Sequence, residues 1–176
     1  MKKIKSDEPR ILIPFFDKTG NIFAYQGRDL LGKSKLKYIT VKLNPKAPLI
    51  FGLDRLDTKQ DIMIVEGPLD SLFLPNCIAS VNASLSSTAS WLMKGLNKSP
   101  NDIIIVHDNE PRNKVIVSEY MKSITAGFKT VIWPGMIDAK DINAMYMAGV
   151  DYNTAIKRNT YQGLTAQLNF NKWKKV

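Results

Sequence analysis

Four short runs limit what this chain can fold into more than anything else in it: "DIMIV" at 61–65, "CIASV" at 77–81, "DIIIV" at 102–106 and "TVIW" at 130–133. Past a leading polar residue each is almost continuously apolar, rich in β-branched side chains and too short to be a buried helix. A strand that is apolar on both faces has to be covered on both faces, as the central strands of a parallel sheet are. Between the runs the pattern predicts helices over Asp70–Leu74, Ala89–Leu96 and Lys114–Thr125, the last with Val115, Val117, Met121 and Ile124 as its apolar positions. Two more short helices are predicted in "DINAMYMAG" and "DYNTAIKRN". Strand and helix alternating at this spacing mean βαβ units and an α/β sheet.

The residues before Asp61 follow a different pattern. "ILIPFFD", the turn "KTG" and "NIFAYQGRDL" read as a hairpin, with Pro14 marking its first strand as an edge. "LKYITVKL" alternates in the same way and makes a third strand. The expected organisation is therefore a small basic β-rich subdomain over 1–60, an α/β domain over 61–150 and a helical tail over 151–176. In the tail, Leu164, Leu168 and Trp173 are candidate anchors of an amphipathic helix. The closing "NKWKKV" reads equally as a frayed, solvated terminus.

Charge is distributed as unevenly as structure. The formal net charge is +9; residues 1–60 hold thirteen Lys or Arg against six acids, and residues 61–176 hold twelve against ten. Arg28, Lys33, Lys35, Lys37, Lys42 and Lys46 meet only one acid among them, Asp29. Such a stretch attracts polyphosphate, because each neutralised phosphate releases condensed counterions. The bland alternative is a solvated basic loop kept for solubility.

With 176 residues, 44% of them hydrophobic, the chain can bury a core of its own. No run approaches the 18 or so apolar residues of a membrane span, and "MKKIKSDEPR" has no apolar signal core, so a soluble, cytoplasmic protein is expected. The single Cys77 excludes an intrachain disulfide and a cysteine-rich zinc site, and in "LPNCIAS" it reads as a small buried apolar residue.

Ligands of open parallel sheets bind beyond the carboxyl ends of the strands. Acids fall at that place three times: Glu66 after "IMIV", Asp108 and Glu110 in "HDNEPRNK" after "IIIV", and Asp138 and Asp141 after "TVIW". Each has an ordinary explanation alone. Asp70 is read as the residue that starts and caps its helix, and Asp108 and Glu110 as loop acids before a helix start at Pro111. Several carboxylates gathered at one sheet edge repel one another unless a cation lies among them. Oxygen ligands without clustered His or Cys point to Mg²⁺ or Mn²⁺, and a divalent cation beside a basic surface suits phosphate-transfer chemistry. His107, Trp91, Trp133 and Met121 are read as packing residues. Arg112 and Lys114 either reach phosphates at the site mouth or offset Glu110, and Lys140 is a further candidate phosphate contact.

In order and spacing, "IVEGPLD", "IIIVHDNEPRN" and "AKDINAM" resemble the motifs of a TOPRIM domain, and "IPFFDKTGNIFAYQGRDL", "KYITVKL" and "IFGLDRL" resemble the segment that precedes it in DnaG-like primases. The wording "EGPLDSLFLPNC" and "DNEPRNK" is similar to that of the primases of T-even-like bacteriophages, and the resemblance covers roughly residues 10–145. It implies a TOPRIM-like, mostly parallel sheet and a metal-dependent nucleotidyltransferase that makes RNA primers on single-stranded DNA from ribonucleoside triphosphates. It implies Glu66, Asp108 and Glu110 as catalytic residues and, with Asp141, as ligands of two Mg²⁺ (or Mn²⁺) ions. Glu110 stands where the family has Asp, and Asn143 stands where bacterial primases commonly have another Asp. Arg28, Lys33, Lys35, Lys37, Arg112 and Lys140 are its implied nucleic-acid or nucleotide contacts. A replicative helicase is the implied partner, with a separate zinc-binding domain supplying start-site choice; a phage-infected host cell is the expected setting if the source is viral. The alternatives are a TOPRIM nuclease and a non-catalytic module that docks nucleic acid or a helicase.

Overall fold

The computed structural model describes residues 8–176; Lys2, Lys3 and Lys5 of the basic first third lie outside them. Strands β1 (Arg10–Phe16), β2 (Ile22–Asp29) and β3 (Tyr38–Lys42) form an antiparallel sheet in that order, with Pro14 on the edge strand as its missing N–H requires. The hairpin closes through Asp17, whose Oδ1 accepts from the N–H of Thr19 (2.9 Å) and of Asn21 (3.0 Å).

A second sheet has six strands: β4 (Ile50–Phe51), β5 (Ile62–Val65), β6 (Cys77–Ser80), β7 (Ile103–Ile105), β8 (Lys129–Val131) and β9 (Thr160–Tyr161). Its order is β4-β6-β5-β7-β8-β9. The four central strands are parallel and both edges antiparallel. The four apolar runs are those four central strands, as their two-faced burial demands. The edge strands, two residues each, are too short to leave a pattern in the sequence. Both edges reach across the expected boundaries: β4 comes from before residue 61 and β9 from after residue 150.

The continuous apolar runs split by alternation between two cores. Ile62, Ile64, Ile103 and Ile105 face α1 (Leu85–Leu96), where they meet Leu85, Ala89 and Leu92. Val65, Val106 and Val131 face the other way, toward α2 (Lys114–Thr125), α3 (Ile142–Met147), α4 (Tyr152–Arg158) and α5 (Gly163–Trp173). A third cluster docks the small sheet on the large one. Its Phe15, Phe23 and Ile13 pack on Val81, and Phe15 meets the β4 residue Phe51 edge-on at 5.5 Å.

Several helix expectations need correction. Asp70–Phe73 is one turn of 3₁₀-helix, and α1 begins at Leu85 rather than Ala89. "SLSSTAS" has the residues of a turn, but Ser84 acts as N-cap, its side chain accepting from the N–H of Ser87, and the helix starts there. On α2 the buried positions are Ile116, Tyr120, Ser123 and Ile124, whereas Val115 and Met121 are exposed. On α5 the anchors are Ala166, Phe170 and Trp173; Leu164 and Leu168 face outward. Trp133 and His107 are buried as expected, but Trp91 is 44% exposed while its neighbour Leu92 is 0% exposed.

That adjacent pair gives a sharp test of the core. Leu92→Ala should cost about 2–5 kcal/mol of unfolding free energy, and Trp91→Ala under about 1 kcal/mol, both read from urea midpoints by circular dichroism.

Candidate active site

The parallel pairing of β5 with β7 sets Ile64 opposite Ile105, and the Val106 N–H continues the ladder to the Ile64 carbonyl at 2.9 Å. The next residues out of the two strands are Glu66 on one and, past His107, Asp108 on the other. They leave the sheet at the same carboxyl edge, side by side, where the apolar runs end. The chain then turns sharply after Glu66. A Cβ on Gly67 would run into the Asp70 carboxylate and push that side chain aside, so the glycine leaves Asp70 where it is; its φ is not in the left-handed region. Asp70 makes no cap on its own turn. Its Oδ1 instead accepts from the Asn143 N–H at the start of α3 (3.0 Å), bringing the loop after β8 into the site. Asp141 caps that helix itself, its Oδ1 accepting from the Ala144 N–H (2.8 Å).

Glu66, Asp70, Asp108 and Asp141 line one cleft of about 880 Å³ between the two sheets. Arg28 and Lys37 line its opposite wall, each within 6 Å of the Tyr38 ring (5.7 and 5.6 Å). The wall also carries Gln26, Tyr38 and Thr40, which the sequence reading missed. Arg28 pairs with Tyr38 and Gln26 with Thr40 across β2 and β3. Their signal was the two-residue period of the strands counted from Arg28. Glu119, on α2, was missed too and lines the cleft; only its one-turn spacing from Val115 and Ile116 on the same wall hinted at it.

Of the other implied residues, Lys140 lines this cleft and the rest lie outside its lining. Lys33 and Lys35 are exposed on the loop between β2 and β3, outside the cleft lining. Glu110, Arg112 and Asp138 line a separate cavity of about 490 Å³ behind the acid-bearing loop. Lys140 turns toward the acids, with Nζ 3.8 Å from Asp108 Oδ2 and 3.5 Å from Glu110 Oε2. Partial burial works against its charge, but Glu110 and Asp108 outweigh that and raise its pKa.

Burial and crowding raise the proton affinity of three of these carboxylates. Asp108 is pushed up to about 7, first by burial and then by Glu66. Glu66 is raised by burial and by Glu110, and Asp70 by burial, with the Asn143 hydrogen bond opposing. His107 goes the other way. Buried, with Nε2 2.9 Å from Ser123 Oγ, it is kept neutral with its pKa lowered to about 3.

Among the described residues, no three His, Cys, Asp or Glu side chains are already gathered as a metal cage. The donor chemistry nonetheless fits a hard divalent cation. The facing groups are carboxylate oxygens, Asp108 has its pKa raised by burial and then by the charge of Glu66, which a cation would offset, and the positive charge now between Asp108 and Glu110 is the half-exposed ammonium of Lys140.

The same fold is found in solved structures. The Aquifex aeolicus primase (zinc-binding and RNA polymerase domains) superimposes with TM-score 0.67 at 17% identity, over 98% of this chain and 48% of that one. A DnaG primase catalytic domain bound to single-stranded DNA gives TM-score 0.67 at 18% identity, over 93% of this chain and 56% of that one. The fold is that of the DnaG-type primase catalytic core. No protein-family model matches the chain. In sequence it is 31% identical over 182 aligned positions to the DNA primase of Enterobacteria phage T4, covering 99% of this chain and 50% of that protein. The chain is similar to a DNA primase in sequence and to DnaG-type primase catalytic cores in fold, and it spans about half the length of the relatives it matches.

The raised Asp108 pKa has a consequence for stability. The folded site favours its neutral form, so its contribution is complete below the ordinary value of 3.8 and is lost as pH rises through about 7. Without added metal, Asp108→Asn should be more stable than the native chain at pH 8 by something on the order of 2 kcal/mol, allowing for partial exposure and for Lys140. The two should converge near pH 4 in thermal melts followed by circular dichroism.

Proposed function

We propose that this chain is a primase catalytic core, holding single-stranded DNA template and ribonucleoside triphosphates in the cleft between its two sheets and joining nucleotides into an RNA primer. The observation that carries this reading is the convergence in one cleft of acids from separate elements, facing Arg28 and Lys37 across it. The kinship with the phage T4 DNA primase supports it, as does the single-stranded DNA bound to the similarly folded DnaG catalytic domain.

Glu66, Asp108, Glu110 and Asp141 are the proposed holders of divalent metal, Mg²⁺ or Mn²⁺. When bound, the metal supplies charge neutralisation at the triphosphate and acidity at the attacking hydroxyl. Arg28 and Lys37 grip phosphate oxygens from the opposite wall, and the Tyr38 ring beside both cations limits their wandering. Glu66, with its proton affinity raised by burial, accepts the proton that leaves the primer 3′-hydroxyl as that oxygen attacks the α-phosphorus and pyrophosphate departs. Lys33 and Lys35 lie beyond the cleft and hold template backbone by charge alone. Arg112 and Lys140 reach phosphates at the edge of the acid loop.

A replicative helicase is the proposed partner on the strength of the family resemblance. Start-site choice is assigned to a zinc-binding module, such as the Aquifex structure includes, since Cys77 is buried in β6 and offers no ligand.

With single-stranded template, ribonucleotides and Mg²⁺, the native chain is expected to make new RNA. Cut DNA instead would identify a nuclease, and bound DNA alone a docking module. Glu66→Gln should lower synthesis at least about a hundredfold while folding normally. Synthesis at the native rate by that variant would end the mechanism. Arg28→Ala should weaken template binding and lower the slope of log affinity against log salt by about one, measured by fluorescence anisotropy at several salt concentrations.

A further inference from the structure

We propose that Asn109 and Trp173 are positioning residues, clamping the loop that carries Asp108 and Glu110 to the C-terminal helix and to the loop that carries Lys140 and Asp141; this rests on the reading of the cleft as the nucleotidyl-transfer site. Asn109 lies between the two acids in sequence, yet its side chain points away from the cleft, into the cavity behind the loop. There its Nδ2 donates to the carbonyls of Ile137 (2.7 Å) and Ala139 (3.2 Å). Its backbone N–H donates to the Lys140 carbonyl (2.6 Å). Its Oδ1 accepts from the indole Nε1–H of Trp173 (3.0 Å). One side chain thus ties together the exits of β7 and β8 and the last turn of α5.

Its neighbours are held in the same alternating way. The His107 carbonyl accepts from Trp133 Nε1–H (2.8 Å), and the Pro111 carbonyl accepts from the Lys175 N–H (2.8 Å). Residues 107, 109 and 111 are therefore bonded from behind, while Asp108 and Glu110, the alternate positions, are left to meet Lys140. The purchase for the clamp is aromatic. Trp173 is 7% exposed and lies 4.4 Å from Tyr120, which lies 4.4 Å from the His107 ring. A loop free to shift by an ångström would separate Asp108 from its partners. Groups that orient metal-ligating side chains matter for that reason.

A packing role and a positioning role predict different results. Trp173→Phe keeps a ring against Tyr120 and removes the one N–H that reaches Asn109. Relative to the native chain, its Kd for Mn²⁺ by titration calorimetry should rise about five- to tenfold, and kcat for primer synthesis should fall about tenfold. KM for ribonucleotide should stay within about twofold. Asn109→Ala should do the same or more. Phe170→Leu, which disturbs the same aromatic packing without touching the loop, should lower the melting temperature and leave the Mn²⁺ Kd unchanged. The proposal is overturned if Trp173→Phe matches the native chain in both Mn²⁺ Kd and kcat, or if Phe170→Leu shifts the Kd as far. A native chain that binds Mn²⁺ and makes primers alongside an unaffected Trp173→Phe would sink the clamp alone. A native chain that does neither would take the functional reading with it.

Discussion

Strands β5 and β7 run parallel and adjacent through the middle of the larger sheet, and their register brings Glu66 and Asp108 out at one edge. Two carboxylates so placed, partly buried and with Glu66 raising the proton affinity of Asp108, are unfavourable in a fold that had no use for them. The rest of the site manages that cost. Lys140 comes in from the loop after β8, and Arg28 and Lys37 face the acids from a separate sheet. The docking of the small sheet through Phe15, Phe51 and Val81 is what turns an acidic edge into a cleft with walls of opposite sign.

The site is fastened at its back by the C-terminal helix as well as by the sheet in front. Trp173, Tyr120 and His107 form a column of rings from α5 to the end of β7, and Asn109 converts that packing into hydrogen bonds on the acid loop. Neutral, buried His107 is a structural strut in this column, which explains a histidine beside a candidate catalytic aspartate without giving it a chemical task.

Legibility in the sequence followed the length and amplitude of the pattern. The four central strands and α2 were plain, because burial on both faces or on one helical stripe leaves a run of apolar residues. The two-residue edges β4 and β9 left none. Trp91, Met121, Leu164 and Leu168 were read as core because they are apolar, but a helix buries a stripe, and these residues lie off it. Asp70 shows the other limit. A local rule read it as the cap of its own helix, whereas its hydrogen bond goes to Asn143, 73 residues away. Local propensity contains no term for such a partner.

The amino-acid sequence by itself determined the chemistry of the parts: an α/β sheet from its β-branched runs, acids at the exits of its strands, a surplus of positive charge before residue 61, and motifs in an order that resembles a known family's. Only the tertiary structure decided which parts meet. It joined Arg28 and Lys37 to Glu66, Asp70, Asp108 and Asp141, left Lys33 and Lys35 outside, turned Glu110 and Lys140 toward each other, and put Asn109 and Trp173 behind the acid loop. The physical reason is that residue type and spacing are set by local geometry and solvent. The pairing of distant groups is set by strand register and by the docking of whole elements, and neither is written in any one segment.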